Sequence, residues 1–416
     1  MKQNNDNNKN DAMGGLTPYG FWALCAAAFA VAFSLPFGRI MVGLSLIVLV
    51  VDCIRLRRYP IFSFSAWCWV AFFAIAVLAS ATGVDPARSF GKIDKLLWFA
   101  AIPITATYVA GNYKRIEILL RAFAVGCGLL ALQIVAWRPV MAWFANRDAV
   151  AAGNPSDYLW SITDLGSMTD GQMLMIGVVA MAGIILSRHI KISIKHQIID
   201  WALLILLVLA LVINLKRGSW ICTFIIVGLF IAAQMKLRHI LILAAVAISL
   251  LALPPVWSRF SDLKQELDVT RGGRIVMWTK IAPPIIKAHP LGIGWRALTE
   301  DIMKEVAAEQ GVCIESQRDH LHSNPIQVLV ALGWMGLALY LVWIIGALSS
   351  GVILMRRHPP KSAERVQMLT VVLMLSALVL NGLIEYNLGD AELVIPYAMI
   401  LGILSLRQST APCLKK

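Results

Sequence analysis

The chain has 416 residues, 59% of them hydrophobic and 15% charged, whereas soluble domains carry about a quarter charged residues. That deficit, with repeated apolar runs of about 18–20 residues, excludes a soluble globular protein and points to a polytopic membrane protein. The formal net charge of +13 is read as membrane topology, with Lys and Arg holding cytoplasmic loops in place, and no nucleic-acid partner is expected.

The runs are continuously apolar, so they are helices; a membrane barrel strand would be about ten residues long and would alternate in polarity. The expected fold is all-α, with about twelve transmembrane helices and one large external loop.

Residues 1–18, Asn- and Lys-rich, read as a disordered cytoplasmic tail rather than a cleavable signal peptide. Apolar runs at 19–35 and 40–54 follow, hinged at Pro36-Phe37-Gly38. Arg55, Arg57 and Arg58 then mark a cytoplasmic turn. Further runs are expected at 64–81, 96–110, 118–137, 172–186, 198–215, 220–233 and 240–254, which puts the first nine spans within 19–255. Residues 256–322 form the long polar loop. The last three runs, at 325–348, 368–384 and 393–406, lie within 323–406, and 407–416 is a second cytoplasmic tail. Basic residues concentrate in alternate connections, which places both termini in the cytoplasm and the long loop outside. The seven cysteines fall mostly within apolar runs, lack CxxC spacing and are read as unpaired.

The candidate chemistry gathers on the external side. Lys216 and Arg217 sit in a two-residue gap between spans, where charge is costly and is either functional or a snorkelling interfacial pair. Arg271 and Arg274 are three apart, so a helix would put them on one face, with Trp278 a turn later. Pro283-Pro284 and the segment His289-Pro290-Leu291-Gly292-Ile293-Gly294 then break the helix. A Gly-rich turn beside arginines suits phosphate, which guanidinium grips bidentately, although a surface helix and turn would look similar. His320 and His322 form a His-x-His pair beside Asp319, open to a metal reading. His322, at the external mouth of a span, is the best general-base candidate. Asp85, Arg88, Lys92, Glu385 and Asp390 share that side, and Arg88 with Lys92 forms either a solvated face or part of an anion site. No Walker loop, GxSxG or acidic metal–nucleotide pair occurs, so a transferase here would take an activated lipid-pyrophosphate donor.

His322-Ser323 followed by Gly333-Trp334-Met335-Gly336 resembles the signature of the O-antigen ligase family. Lys216-Arg217-Gly218-Ser219 is similar to that family's Ser-Arg-Gly turn, with Lys216 in place of a small residue. Gly273-Arg274 with Trp278, and Pro290-Leu291-Gly292-Ile293-Gly294, resemble its Gly-Arg…Trp and Pro-Leu-x-Gly-x-Gly segment. The resemblance implies a glycosyltransferase of the C-type membrane fold in the bacterial inner membrane, with its active site facing the periplasm. Such an enzyme moves O-antigen glycan from undecaprenyl pyrophosphate to lipid A–core in lipopolysaccharide biosynthesis, with no metal or other cofactor. It implies catalytic roles for His322 and Arg217. Substrate-binding roles go to Arg274, Arg88, Arg271, Arg296 and Lys216. An O-antigen polymerase and a protein oligosaccharyltransferase share the donor and stand as rivals, as does, from another class, a lipid-glycan transporter.

Overall fold

A computed structural model describes residues 17–141, 167–187, 193–234, 257, 273–314 and 319–405. Among them every regular element is a helix, and seven helices are long and apolar enough to cross a membrane: Leu35–Leu56, Phe64–Thr82, Tyr113–Met141, Met168–Leu186, Ile194–Ile213, Asn324–Arg356 and Ala363–Gly382. Pro18–Ala30, Arg217–Ala233 and Ala391–Leu404 are apolar but shorter. The chain is an all-α, polytopic membrane protein. The expected span at 240–254 lies outside the described residues.

Burial sorts the helices. Leu35–Leu56 and Ile194–Ile213 present apolar faces outward, among them Ile40, Ile47, Val51, Ile54, Ile198 and Ile205, as helices that meet lipid do. Ala391–Leu404 is the central element, buried from Leu393 to Leu404. It packs on Ala101–Val109, the 3₁₀ segment Ile93–Ala100 and Ala363–Gly382.

Several element boundaries differ from expectation for local reasons. The helix opens at Pro18, and Thr17, expected in the tail, donates from its N–H and its hydroxyl to the buried Asp52 carboxylate, 2.9 Å in each case. The run 96–110 is split between the 3₁₀ segment and Ala101–Val109; Pro103 removes an amide that a continuous α-helix would need. Pro283 and Pro284 do not break their helix. A π-turn over Met277–Ile281 delivers the chain into Ala282–Ala288, whose first turn holds both prolines, where the missing N–H groups have no intrahelical partner to lose. The break comes at His289.

The described loop residues, 273–314 and 319–323, do not float above the bundle. They have a small core of their own, built from Met277, Ile281, Ile285, Ile293, Leu298, Met303 and Leu321 with Val330 of the bundle. Their glycine-rich turn docks into a break in Asn324–Arg356 at Gly333, where φ is 66° and ψ is −169°. The break frees carbonyls. Ile293 N–H donates to Val330 O at 3.0 Å and Gly294 N–H to Ala331 O at 3.0 Å, while Trp334 N–H returns to Pro290 O at 3.3 Å. Val84 N–H caps the other side of the strip on Ile293 O at 3.0 Å. Backbones this close leave no room for a side chain: a Cβ on Gly292 would overlap Ala331 O, and one on Gly333 would overlap Pro290 O.

Gly292→Ala should therefore destabilise the protein by about 2 kcal/mol or more, since φ is +92° there and the contact is backbone on backbone. Thermal unfolding in detergent should show a lowered midpoint, with Gly311→Ala, at positive φ but in open space, falling less.

Candidate active site

The connections expected on the external side meet at one end of the bundle. Ser167 starts Met168–Leu186 with a capping box, its hydroxyl accepting from Asp170 N–H at 3.0 Å while Asp170 accepts from Ser167 N–H at 2.8 Å. Arg138 anchors Asp170 from the preceding helix at 2.6 Å. The chain breaks at Asn214-Leu215-Lys216, with Leu215 in the left-handed region, and Arg217 opens the next helix. Asn214 donates to Ser167 O at 3.3 Å, which holds that break against the start of Met168–Leu186. Arg217 is thus not adrift in a loop: it leads a helix whose first turn faces the 167–172 segment.

His322 lies just before Ser323, the N-cap of Asn324–Arg356, in the left-handed region at φ 50° and buried. Two hydrogen bonds fix the backbone just before it: Trp278 Nε1–H donates to Leu321 O at 2.6 Å, and Leu321 N–H to Gln327 Oε1 at 2.9 Å. Asn324 donates to Asn387 Oδ1 at 2.6 Å and accepts from Leu388 N–H at 3.0 Å. This stitches the His322 segment to the turn at 383–390.

That turn supplies Glu385. Its Oε2 lies 3.1 Å from His322 Nδ1, and its Oε1 pairs with the Arg274 guanidinium. The chain Arg274–Glu385–His322 joins three segments distant in sequence, and the Glu385 carboxylate is buried, with 9% of its side chain exposed. Burial disfavours the imidazolium and holds the His322 pKa below its ordinary value, while the hydrogen bond that His322 donates to Glu385 draws it part of the way back. Burial alone would push Glu385 up; His322 and Arg274 outweigh it and hold the carboxyl below the usual range. With Nδ1–H donating to Glu385, Nε2 carries the basic lone pair.

Two cavities open beside this chain. One, of about 150 Å³, is lined by Lys216, Arg217, Ser219, Arg274, Asn381 and Glu385 among others. The second, of about 330 Å³, is lined by Ser167, Thr169, Lys216, His320, Tyr386 and Asp390 among others. They share Met168, Gln172, Lys216 and Glu385 as a common wall. The first is cationic and suits an anion.

Of the residues singled out in the sequence, Lys216, Arg217 and Arg274 converge on the smaller cavity, and His322 reaches it through Glu385. Arg88 and Arg296 stand apart from both linings. Arg88 Nε–H donates to Arg296 O at 3.1 Å, and its guanidinium lies 3.4 Å from Asp319. Arg296 donates to Gly389 O and lies over the Tyr386 ring, 5.9 Å from its centroid. Arg296 thus braces the 385–390 turn, and Arg88 holds the Arg296 backbone. Arg271 lies outside the described residues; Arg274 opens its helix with Gly273 as the N-cap. The His320 and His322 rings are 4.5 Å apart, but among the described residues no group of three or more His, Cys, Asp or Glu could hold a metal ion. Sequence reasoning set Glu385 on this side without a role. Its signal was an acid in a six-residue turn between two spans, where charge is costly.

A helical membrane protein with a buried histidine–carboxylate pair and an arginine-lined cavity at one end is the class defined by this geometry. Residues 202–341 match the family model described as O-antigen ligase. The match takes in Lys216, Arg217, Arg274 and His322, whereas Glu385 lies beyond it. No curated protein matches the chain.

Glu385→Gln keeps the shape but removes the charge that draws the His322 pKa upward. Histidine NMR of the labelled protein should show the His322 titration moving to still lower pH.

Proposed function

We propose that the protein is an O-antigen ligase that transfers O-antigen glycan from undecaprenyl pyrophosphate to a sugar hydroxyl of lipid A–core, by metal-independent, inverting glycosyl transfer. The observation that carries this reading is the Arg274–Glu385–His322 chain set against a cavity lined by Lys216, Arg217 and Arg274. His322 Nε2 takes the proton from the acceptor hydroxyl as its oxygen forms a bond to the anomeric carbon. The bond from that carbon to the pyrophosphate oxygen breaks, and the electron pair leaves with the pyrophosphate. Fixed guanidinium groups of Arg217 and Arg274, with Lys216, stabilise the charge that gathers there, more in the transition state than in the ground state. Glu385 holds the imidazole in orientation and stabilises the imidazolium that forms. Arg296 supports the site by bracing the 385–390 turn, Arg88 supports it through Arg296, and Arg271 belongs with the same anion-binding segment.

Attack opposite the leaving group inverts the anomeric centre. Both substrates are lipid-anchored, so a site at one end of the bundle draws them into proximity along the membrane surface. The excess of Lys and Arg in the alternate connections supports cytoplasmic termini and a site facing the periplasm across the inner membrane. The concentration of ionisable groups at the helix ends favours surface chemistry over transport.

The test is a transfer assay with purified protein, lipid-linked glycan and rough lipopolysaccharide. Product on lipopolysaccharide supports ligation, whereas lengthened lipid-linked glycan would make the protein a polymerase and glycan on a protein acceptor an oligosaccharyltransferase. His322→Ala should lower the rate by about 10²- to 10⁴-fold and Arg217→Ala by about 10²- to 10³-fold, with the protein still in the membrane. Near-normal ligation by His322→Ala would sink the base assignment.

The pH profile follows from the sign of the His322 shift. The base works neutral, and its pKa is held below the ordinary histidine value of about 6.5. Activity should therefore persist through neutral pH and fall only on acidification below that value. Full activity in chelator is expected; loss restored by one divalent ion would overturn the metal-independent route.

A further inference from the structure

The larger cavity is not explained by anion binding. A phosphate there would face two carboxylates, Glu385 and Asp390, with Lys216 the one Lys or Arg among the described residues of its wall. The remaining polar lining is hydroxyl, amide and imidazole: Ser167, Thr169, Gln172 and His320, with the Tyr386 ring. Its volume of about 330 Å³ falls in the range of small-molecule sites, about 300–1,000 Å³, whereas the cationic cavity is smaller.

Asp390 is held in an informative way. It is the N-cap residue of Ala391–Leu404, yet its side chain makes no hydrogen bond to that helix. An N-cap aspartate ordinarily accepts from the helix amides. Here Oδ2 instead accepts from Thr169 Oγ1–H at 3.0 Å, across the cavity wall. The carboxylate thus stands at the start of the central helix, buried from Leu393 to Leu404, and is fixed by a hydroxyl from a second helix. Tyr386 is fixed on the same turn, with Arg296 5.9 Å from its ring centroid and His320 at a ring distance of 5.9 Å.

We propose that this cavity is a sugar subsite that takes one neutral, polyhydroxylated ring of the reacting glycans, with Asp390 as its principal hydrogen-bond acceptor and Thr169 as the residue that positions Asp390. The inference rests on the proposed transfer reaction. A carboxylate accepts from ring hydroxyls without needing a counter-charge on the ligand, and Ser167, Thr169 and Gln172 add hydroxyl and amide partners. The two cavities share a wall at Lys216 and Glu385, so a ring in the larger one lies beside a pyrophosphate in the smaller. His320, whose ring is 4.5 Å from that of His322, puts the same ring near the base. Both the donor's first sugar and the acceptor sugar have this chemistry.

The test uses the full-length protein, wild type, Asp390→Asn and Thr169→Val, with three probes: bare undecaprenyl pyrophosphate, lipid-linked glycan and rough lipopolysaccharide. Asp390→Asn should raise KM for one glycan substrate about tenfold or more, change kcat far less, and leave binding of the bare lipid unchanged. A rise in donor KM assigns the donor sugar to the cavity; a rise in lipopolysaccharide KM assigns the acceptor. Unchanged KM for both substrates, or weakened binding of the bare lipid, overturns the proposal. Thr169→Val should raise the same KM by a smaller factor, and it carries the test if Asp390→Asn fails to accumulate, an unchanged KM then overturning the proposal. If wild type transfers nothing, the ligase reading fails separately. The subsite then stands only if wild type binds lipid-linked glycan or rough lipopolysaccharide more tightly than the bare lipid and either variant loses the difference; equal binding by wild type overturns it.

Discussion

Everything at the polar end of this molecule is arranged around one buried carboxylate. Glu385 receives His322 on one oxygen and Arg274 on the other; the two partners come from the starts of two helices, and Glu385 itself from the turn between two more. A carboxylate buried without partners would carry a large desolvation cost and take up a proton. With a guanidinium and an imidazole it stays ionised, below the usual carboxyl range. The pairing gives the loop segment a reason to lie against the bundle and gives His322 a defined ring orientation. It also leaves the imidazole neutral at neutral pH, because burial outweighs the carboxylate's pull.

The scaffold that holds Glu385 and His322 in register is backbone rather than side chain. The strip Pro290–Gly294 lies along carbonyls exposed by the Gly333 break, and glycines on both sides allow the approach. This gives the two glycine motifs a common physical cause: each is the space required by the other. Asn324 then ties the same helix start to Asn387 and Leu388, two and three residues beyond Glu385. The loop's own apolar core keeps Trp278 under Leu321. Distances at the site are therefore set by hydrogen bonds that do not themselves take part in the chemistry.

The parts of this arrangement legible in the sequence are those where membrane physics makes a residue conspicuous. Apolar runs announce helices. Arg217 stands out as a charge with no room between two of them, and His322 as an imidazole at a helix mouth. Arg274 was visible through its flanking Gly273 and Trp278. Glu385 was not recognised because its meaning lies in a contact 63 residues away, and no local period encodes that. Arg88 and Arg296 looked like anion ligands because their composition is right, yet both spend donors on backbone carbonyls, Arg296 O and Gly389 O. Pro283 and Pro284 looked like breakers because the π-turn that carries the helix up to them leaves no mark in composition.

Sharing one carboxylate between an arginine and a histidine has a consequence for any chemistry run at this site. Arg274 faces both Glu385 and the cationic cavity. An anion that enters the cavity competes for its guanidinium and draws part of its charge away from Glu385. The carboxylate then bears more fully on His322, and the incoming negative charge acts in the same direction, so the imidazole becomes more basic when the anion is bound than when it is absent. By reciprocity, protonating His322 tightens the hold on the anion by the same free energy. In the proposed transfer both effects fall in the productive order. The base is strongest once the pyrophosphate donor is seated, and the proton it gains strengthens the grip on the pyrophosphate as that group departs.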